Sequence, residues 1–191
     1  CMDTRPSLSL IEAYDQAAGM CRQEFGRASE LLINGIPSEE YVSEYGDNHC
    51  GELQFPYVDI HLQFVFFEVL KNALIASIRK AGPGEAPPPV QVTVMSGSSV
   101  PGQNERTVKI ADTGEGLQRE DARKVWSYFS TGVDHPRGGD RETHASQVVG
   151  SLPFVFHGLG LAVSRVLVRY FDGDIDLHSI PRRGTDVYIY L

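Results

Sequence analysis

The stretch 60–80, IHLQFVFFEVLKNALIASIRK, constrains this chain more than any other. It reads as the strongest helix in the sequence, and Gly82-Pro83 ends it. Phe64, Val65, Phe66, Phe67, Val69 and Leu70 make it core-like, yet Glu68 and Asn72 interrupt it. Being four apart, those two share one helix face. A carboxylate and an amide are costly to bury unless each finds a partner. On this pair alone, the simpler expectation is that both sit at the helix rim. The chemical alternative is that Asn72 lends its oxygen to a hard cation while Glu68 works as a base. Magnesium takes few protein ligands and keeps its waters and phosphate oxygens, so one Asn suffices.

The remaining pattern alternates helix and strand. Residues 7–25 carry Leu10, Ile11, Tyr14, Ala17, Ala18 and Cys21 at helical spacing, and Gly26 stops them. Residues 28–35 read as a short strand ending at Asn34-Gly35, and 41–51 as polar loop. Strands are expected at 90–95 and 106–111, joined as a hairpin, with a helix at 117–128. Residues 132–150 are Gly-rich and polar without an apolar period, the signature of a long lid-like loop. A helix at 158–171 and a closing hairpin, 174–180 with 185–191, complete one α/β domain whose sheet leans antiparallel.

At 191 residues, the chain is long enough for a single sizeable core. Its 17 Lys+Arg against 25 Asp+Glu leave a net charge of −8, which argues against bulk nucleic-acid binding but leaves a small anionic ligand open. Cys1, Cys21 and Cys50 form no CxxC pair, so neither a zinc site nor a disulfide framework is expected, which fits a reducing compartment. No uninterrupted apolar run approaches the ~20 residues of a membrane span. The chain opens at Cys1 rather than Met and is read as a piece of a longer protein, with no signal-like segment.

Three further motifs matter. Asp112-Thr113-Gly114-Glu115-Gly116 follows a strand, and its glycines let backbone approach a ligand while the Asp can accept from an exocyclic amine. Gly158-Leu159-Gly160-Leu161 opens a helix, whose free N–H groups suit a phosphate. Gly184-Thr185 enters the last strand. Each alone is commonplace: a tight turn, helix packing, another turn. Together, in this order and on these elements, they resemble the GHKL superfamily of ATP-binding domains, shared by histidine kinases, gyrase B and Hsp90.

A narrower resemblance rests on Glu68-Val-Leu-Lys-Asn-Ala, Tyr128-Phe-Ser-Thr131, Leu161-Ala-Val-Ser-Arg165, Arg169-Tyr-Phe-Asp-Gly173 and Gly184-Thr-Asp-Val-Tyr188. These are similar to the mitochondrial protein kinases, pyruvate dehydrogenase kinase and branched-chain α-ketoacid dehydrogenase kinase. The resemblance implies an α+β two-layer sandwich with a mixed sheet and helices on one face. It makes 1–191 a single ATP-binding catalytic domain with a lid at about 130–157, and the family's N-terminal helical bundle is missing. It implies a protein-serine kinase of the mitochondrial matrix that inactivates a 2-oxoacid dehydrogenase complex by phosphorylating its decarboxylase α chain. Lipoyl-domain docking would use the missing region, and homodimers would form through the sheet. No nucleic-acid or membrane partner is implied.

In that frame Glu68 is the general base, Asn72 holds Mg²⁺ on the ATP phosphates, and Lys71 lies beside the nucleotide. Asp112 accepts from the adenine amine with Thr185 in support, and Gly114 and Gly116 let the adenine pocket close. Ser130 and Thr131 begin the lid, and Gly158, Gly160 and Leu161 form the phosphate-cradling helix entry. A K⁺ requirement stays open. Ile75 and Thr113 stand where the family usually has arginine, Ala162 where it has proline, and Phe156-His157 replace a glycine and aromatic. Phe64, where pyruvate-type members carry histidine, and the Gly-Thr-Asp-Val-Tyr ending lean mildly to the branched-chain type. His61 is read as solvated helix face, His157 as lid surface, and Trp126 and Phe129 as core. Tyr188 and Tyr190 suit either a dimer or internal packing. The competing readings are a histidine-kinase-type ATPase domain and a nucleotide-binding regulatory module with little kinase activity.

Overall fold

In the computed structural model, which describes residues 2–4, 6–45, 55–82, 84–97, 105–127 and 159–191, the elements follow in order. They are β1 (Met2–Thr4), α1 (Pro6–Phe25), β2 (Leu31–Ile33), β3 (Ile36–Pro37), α2 (Ser38–Tyr45), β4 (Phe55–Tyr57) and α3 (Asp59–Lys80). Then come β5 (Val90–Gly97), β6 (Glu105–Asp112), α4 (Arg119–Lys124), α5 (Gly160–Arg169), β7 (Asp174–Ile180) and β8 (Gly184–Tyr190). Six strands form one mixed sheet in the order β3-β2-β5-β6-β8-β7, and β1 pairs separately with β4. Only β2–β5 is parallel within the six-stranded sheet. The expected hairpins at β5–β6 and β7–β8 are both present and antiparallel.

The strands alternate as a half-buried sheet requires. Val108, Ile110, Val187 and Ile189 are buried under the helices, while Lys109 and Asp186 pair at 2.7 Å on the other face. Tyr188 and Tyr190 stack on each other there, ring centroids 6.5 Å apart. Helix α3 lies across β5, β6 and β8, with α1 and α5 packed beside it. Phe66, Leu62, Leu70 and Leu74 from α3 meet Leu10, Ala13 and Ala17 from α1 in one core. Helix α3 has the length and hydropathy of a membrane span, but over half of it is buried inside this fold.

The end of α3 is held by one side chain. The Arg27 guanidinium donates to the carbonyls of Ile78, Ala81, Gly82 and Glu85 at 2.9–3.2 Å, collecting the acceptors that a helix terminus leaves open. Helix α5 is tied to β7 in a similar way: Arg169 and Arg165 both donate to Asp174 and hold its carboxyl well below the usual carboxylate range.

Three expectations need correction. Residues 38–45, half of them expected as loop, form α2; Glu39 and Glu40 in its first turn favour the positive end of the helix dipole. The helix expected at 117–128 shrinks to the six residues of α4, which buries nothing and so lacks the packing that would extend it. The 28–35 strand stops at Ile33 because Asn34 and Gly35 both take positive φ (51° and 86°) and turn the chain back as β3. Strands β1 and β4 were not expected at all.

Candidate active site

Glu68 is not at the helix rim. It is 2 % exposed, and its Oε2 accepts from Lys71 Nζ at 2.5 Å. Lys71 is itself largely covered, with its ammonium 5.2 Å from the Phe67 ring centroid. The ion pair offsets the cost of carrying a carboxylate into the core, which an isolated charge could not meet. Gly160, the first residue of α5, is buried against the same carboxylate. Leu161 is partly buried against the core. Asn72, one turn beyond Glu68 on α3, is exposed.

The second cluster gathers at the end of β6. Asp112 is buried, pairs in register with Thr185, and its Oδ1 accepts from Gly114 N at 2.7 Å. Burial pushes its carboxyl up to about 6, only partly offset by the backbone N–H groups of Gly114 and Thr185. The glycines are required by contact. A Cβ on Gly114 would stand 2.7 Å from both Ala76 Cβ and Asp112 Oδ1. Gly184, at φ +122°, has the Asp112 carbonyl where a Cβ would go. The 112–116 turn is thereby pressed between α3 and the β7–β8 hairpin.

Two side chains that the sequence reading missed complete the arrangement. Lys80 Nζ donates to the Thr113 carbonyl, so the last turn of α3 grips the turn that carries Asp112. Ser179 Oγ lies 2.9 Å from Thr185 Oγ1 and accepts from Leu117 N at 2.7 Å. Lys80 was discoverable as the third member of the 72, 76, 80 ridge, and Ser179 as the residue opposite Thr185 in the expected closing hairpin. Beside Lys80, an open cleft of about 420 Å³ is lined by Glu115, Gly116, Gln118, Pro181 and Arg182.

The structure therefore brings Glu68, Lys71 and Gly160 into one cluster and Asp112, Gly114, Gly116 and Thr185 into another. Asn72 and Ala76 join them along α3. From Glu68 to Ala76 is eight residues, about 12 Å of helix rise. Ser130, Thr131 and Gly158, the lid at 130–157, Phe129 and His157 lie outside the described residues. Ile75 is partly buried against the core, and Trp126 packs there too, 4.7 Å beneath the Arg165 guanidinium. His61 is half-buried rather than solvated, because Phe171 folds back from the end of α5 onto it. Cys21 is a buried free thiol. Among the described residues no three His, Cys, Asp or Glu side chains gather as a metal site.

Comparison with known proteins agrees with this geometry. The sequence profile described as histidine kinase-, DNA gyrase B- and HSP90-like ATPase matches residues 57–191. The mitochondrial pyruvate dehydrogenase (acetyl-transferring) kinase of Schizosaccharomyces pombe is 34% identical over 195 residues, covering 100% of this chain and 41% of that protein. The Drosophila melanogaster kinase of the same name is 31% identical, covering 100% and 42%. Human isozyme 1 is 32% identical, covering 97% and 39%. The chain thus spans about two-fifths of the length of these relatives. With the profile matched over most of its length and the mixed sheet, α3 and the Asp112 turn in place, this chain belongs to the histidine kinase-, DNA gyrase B- and HSP90-like ATPase family.

Proposed function

We propose that this chain is the ATP-binding catalytic domain of a mitochondrial protein-serine kinase. Its substrate is the decarboxylase α chain of the pyruvate dehydrogenase complex, which phosphorylation inactivates. The relatives named above are pyruvate dehydrogenase kinases, which favours that complex over the branched-chain one toward which Phe64 leans. The observation that carries the reading is the buried, ion-paired Glu68 one helical turn from Asn72, on the helix that also packs against the Asp112 turn.

The residues present fit a nucleotide. Asp112 is a buried acceptor at a strand end, and Gly114 and Gly116 keep the turn beside it free of side chains. Asn72 offers an exposed amide oxygen, and Mg²⁺ needs little more from a protein. Bound Mg·ATP supplies the transferable phosphoryl group and a cation that neutralises its charge. Asp112 accepts from the adenine amine, and Thr185, held by Ser179, supports it. Ser130, Thr131, Gly158, Gly160 and Leu161 serve the phosphates. Lys71 keeps Glu68 in its carboxylate form, ready to take the proton of the substrate serine hydroxyl. Positioning and charge neutralisation of this kind are most of what phosphoryl transfer asks of a protein. Homodimers form through the open sheet face bearing Lys109, Asp186, Tyr188 and Tyr190, and the lipoyl domain is engaged by sequence outside this chain.

The test is phosphorylation of purified pyruvate and branched-chain complexes by the full-length protein, alongside Glu68→Gln. The expected result is Mg²⁺-dependent phosphorylation of the pyruvate-type α chain, reduced at least ~100-fold in the variant. ATP binding without turnover in the parent would point to a regulatory module instead.

A further inference from the structure

We propose that Gly160 is a positioning residue for Glu68, setting where the carboxylate stands, beyond any part it has in cradling phosphate. The inference rests on the reading of Glu68 as the base. A Cβ built on Gly160 would overlap Oε2 and Cδ of Glu68 and stand 3.0 Å from its Cγ. Among the described glycines, Gly160 has a charged side chain of α3 where its own would be; Gly116, Gly173 and Gly184 have backbone carbonyl oxygens nearest there. The first turn of α5 thus forms one wall of the pocket that holds the carboxylate.

The opposite constraint comes from Lys71, whose ammonium holds Oε2 at 2.5 Å. Glu68 is 2 % exposed, so the carboxylate has no solvent-facing rotamer to which it can retreat at little cost. The entry to α5 also carries no acidic residue in its first turn and no side-chain cap, which leaves the Glu68 carboxylate as the negative group against that helix end. A methyl at position 160 would meet the movable end of a side chain rather than backbone. What yields is the carboxylate itself, away from Lys71, while the nucleotide cluster at Asp112 is untouched. Displacement of a reacting group by about 1 Å is enough to cost on the order of 10²-fold in rate.

The experiment is a kinetic double-mutant cycle in the full-length protein, with pyruvate dehydrogenase complex as substrate: parent, Gly160→Ala, Glu68→Gln and the double variant. Expected is a 10- to 100-fold fall in kcat for Gly160→Ala with the ATP KM within twofold of the parent. In the Glu68→Gln background, the same substitution changes the residual rate less than twofold, because the group through which it acts is gone. A raised ATP KM with unchanged kcat, or an equal fall in both backgrounds, overturns the inference while leaving Glu68 as base. Parental activity in Glu68→Gln overturns the base reading, and this inference with it. Should Gly160→Ala fail to fold, recovery of folding on adding Glu68→Ala, which removes the overlapping atoms, supports the contact; no recovery overturns it.

Discussion

Asp112 shows how a single residue can trade stability for a binding group. Its carboxyl titrates near 3.8 when exposed and near 6 in the fold, because burial disfavours the charge. The folded state therefore holds the proton more tightly. The cost of ionising Asp112 is absent below pH ~4, grows as the pH rises toward about 6, and is complete above it. Asp112→Asn keeps an acceptor for Gly114 N and removes that cost. The variant should be more stable than the parent at pH 7.5 by up to about 3 kcal/mol, with the difference closing toward pH 4, as read by urea unfolding at both pH values. Its ATP affinity should fall, because an amide presents a weaker acceptor to the adenine amine. The acid itself was legible in the sequence as part of an Asp-x-Gly-x-Gly motif. Its burial was not, because that depends on Ala76 and Gly184 arriving from elements 36 residues before it and 72 after.

Among the elements, α3 is the one whose ends decide the site. Its body was readable from apolar density, and its stop from Gly82-Pro83. What holds its end was not readable, since Arg27 stands more than 50 residues upstream and looks like any charged residue after a helix. Four carbonyls share that one guanidinium. Arg27→Ala should lower stability by about 1.5–3 kcal/mol, the range for hydrogen bonds to a charged group, and Arg27→Lys should recover little of it because an ammonium cannot reproduce the planar fork. Thermal unfolding of the three proteins decides this. The loosened end of α3 would also weaken the grip of Lys80 on the Thr113 carbonyl. That grip brings a cation to the turn where Ile75 and Thr113 supply none. The failed expectations at α2 and α4 share one cause: short polar segments carry little periodicity, so their outcome depends on packing and capping that local sequence does not reveal.

At the scale of the molecule, one core supports both clusters. Phe66 is fully buried on α3, in the core that the sheet and α1 close around. Phe66→Ala should cost about 3–5 kcal/mol in chemical unfolding, with nucleotide binding lost in step because Glu68, Asn72 and Ala76 ride on the same helix. The amphipathic and alternating patterns, the order of the motifs and the positions of α1, α3, β5, β6, β7 and β8 follow from local sequence, because hydrophobic period and Gly/Pro punctuation are local properties. Family membership follows from the same residues. Tertiary structure alone decided that Glu68 is buried against Lys71 and Gly160, that Gly114 rests on Ala76, and that Lys80 and Ser179 brace the Asp112 turn. Each of those depends on a contact between chain segments far apart in sequence, where geometry, rather than residue type, determines which groups meet.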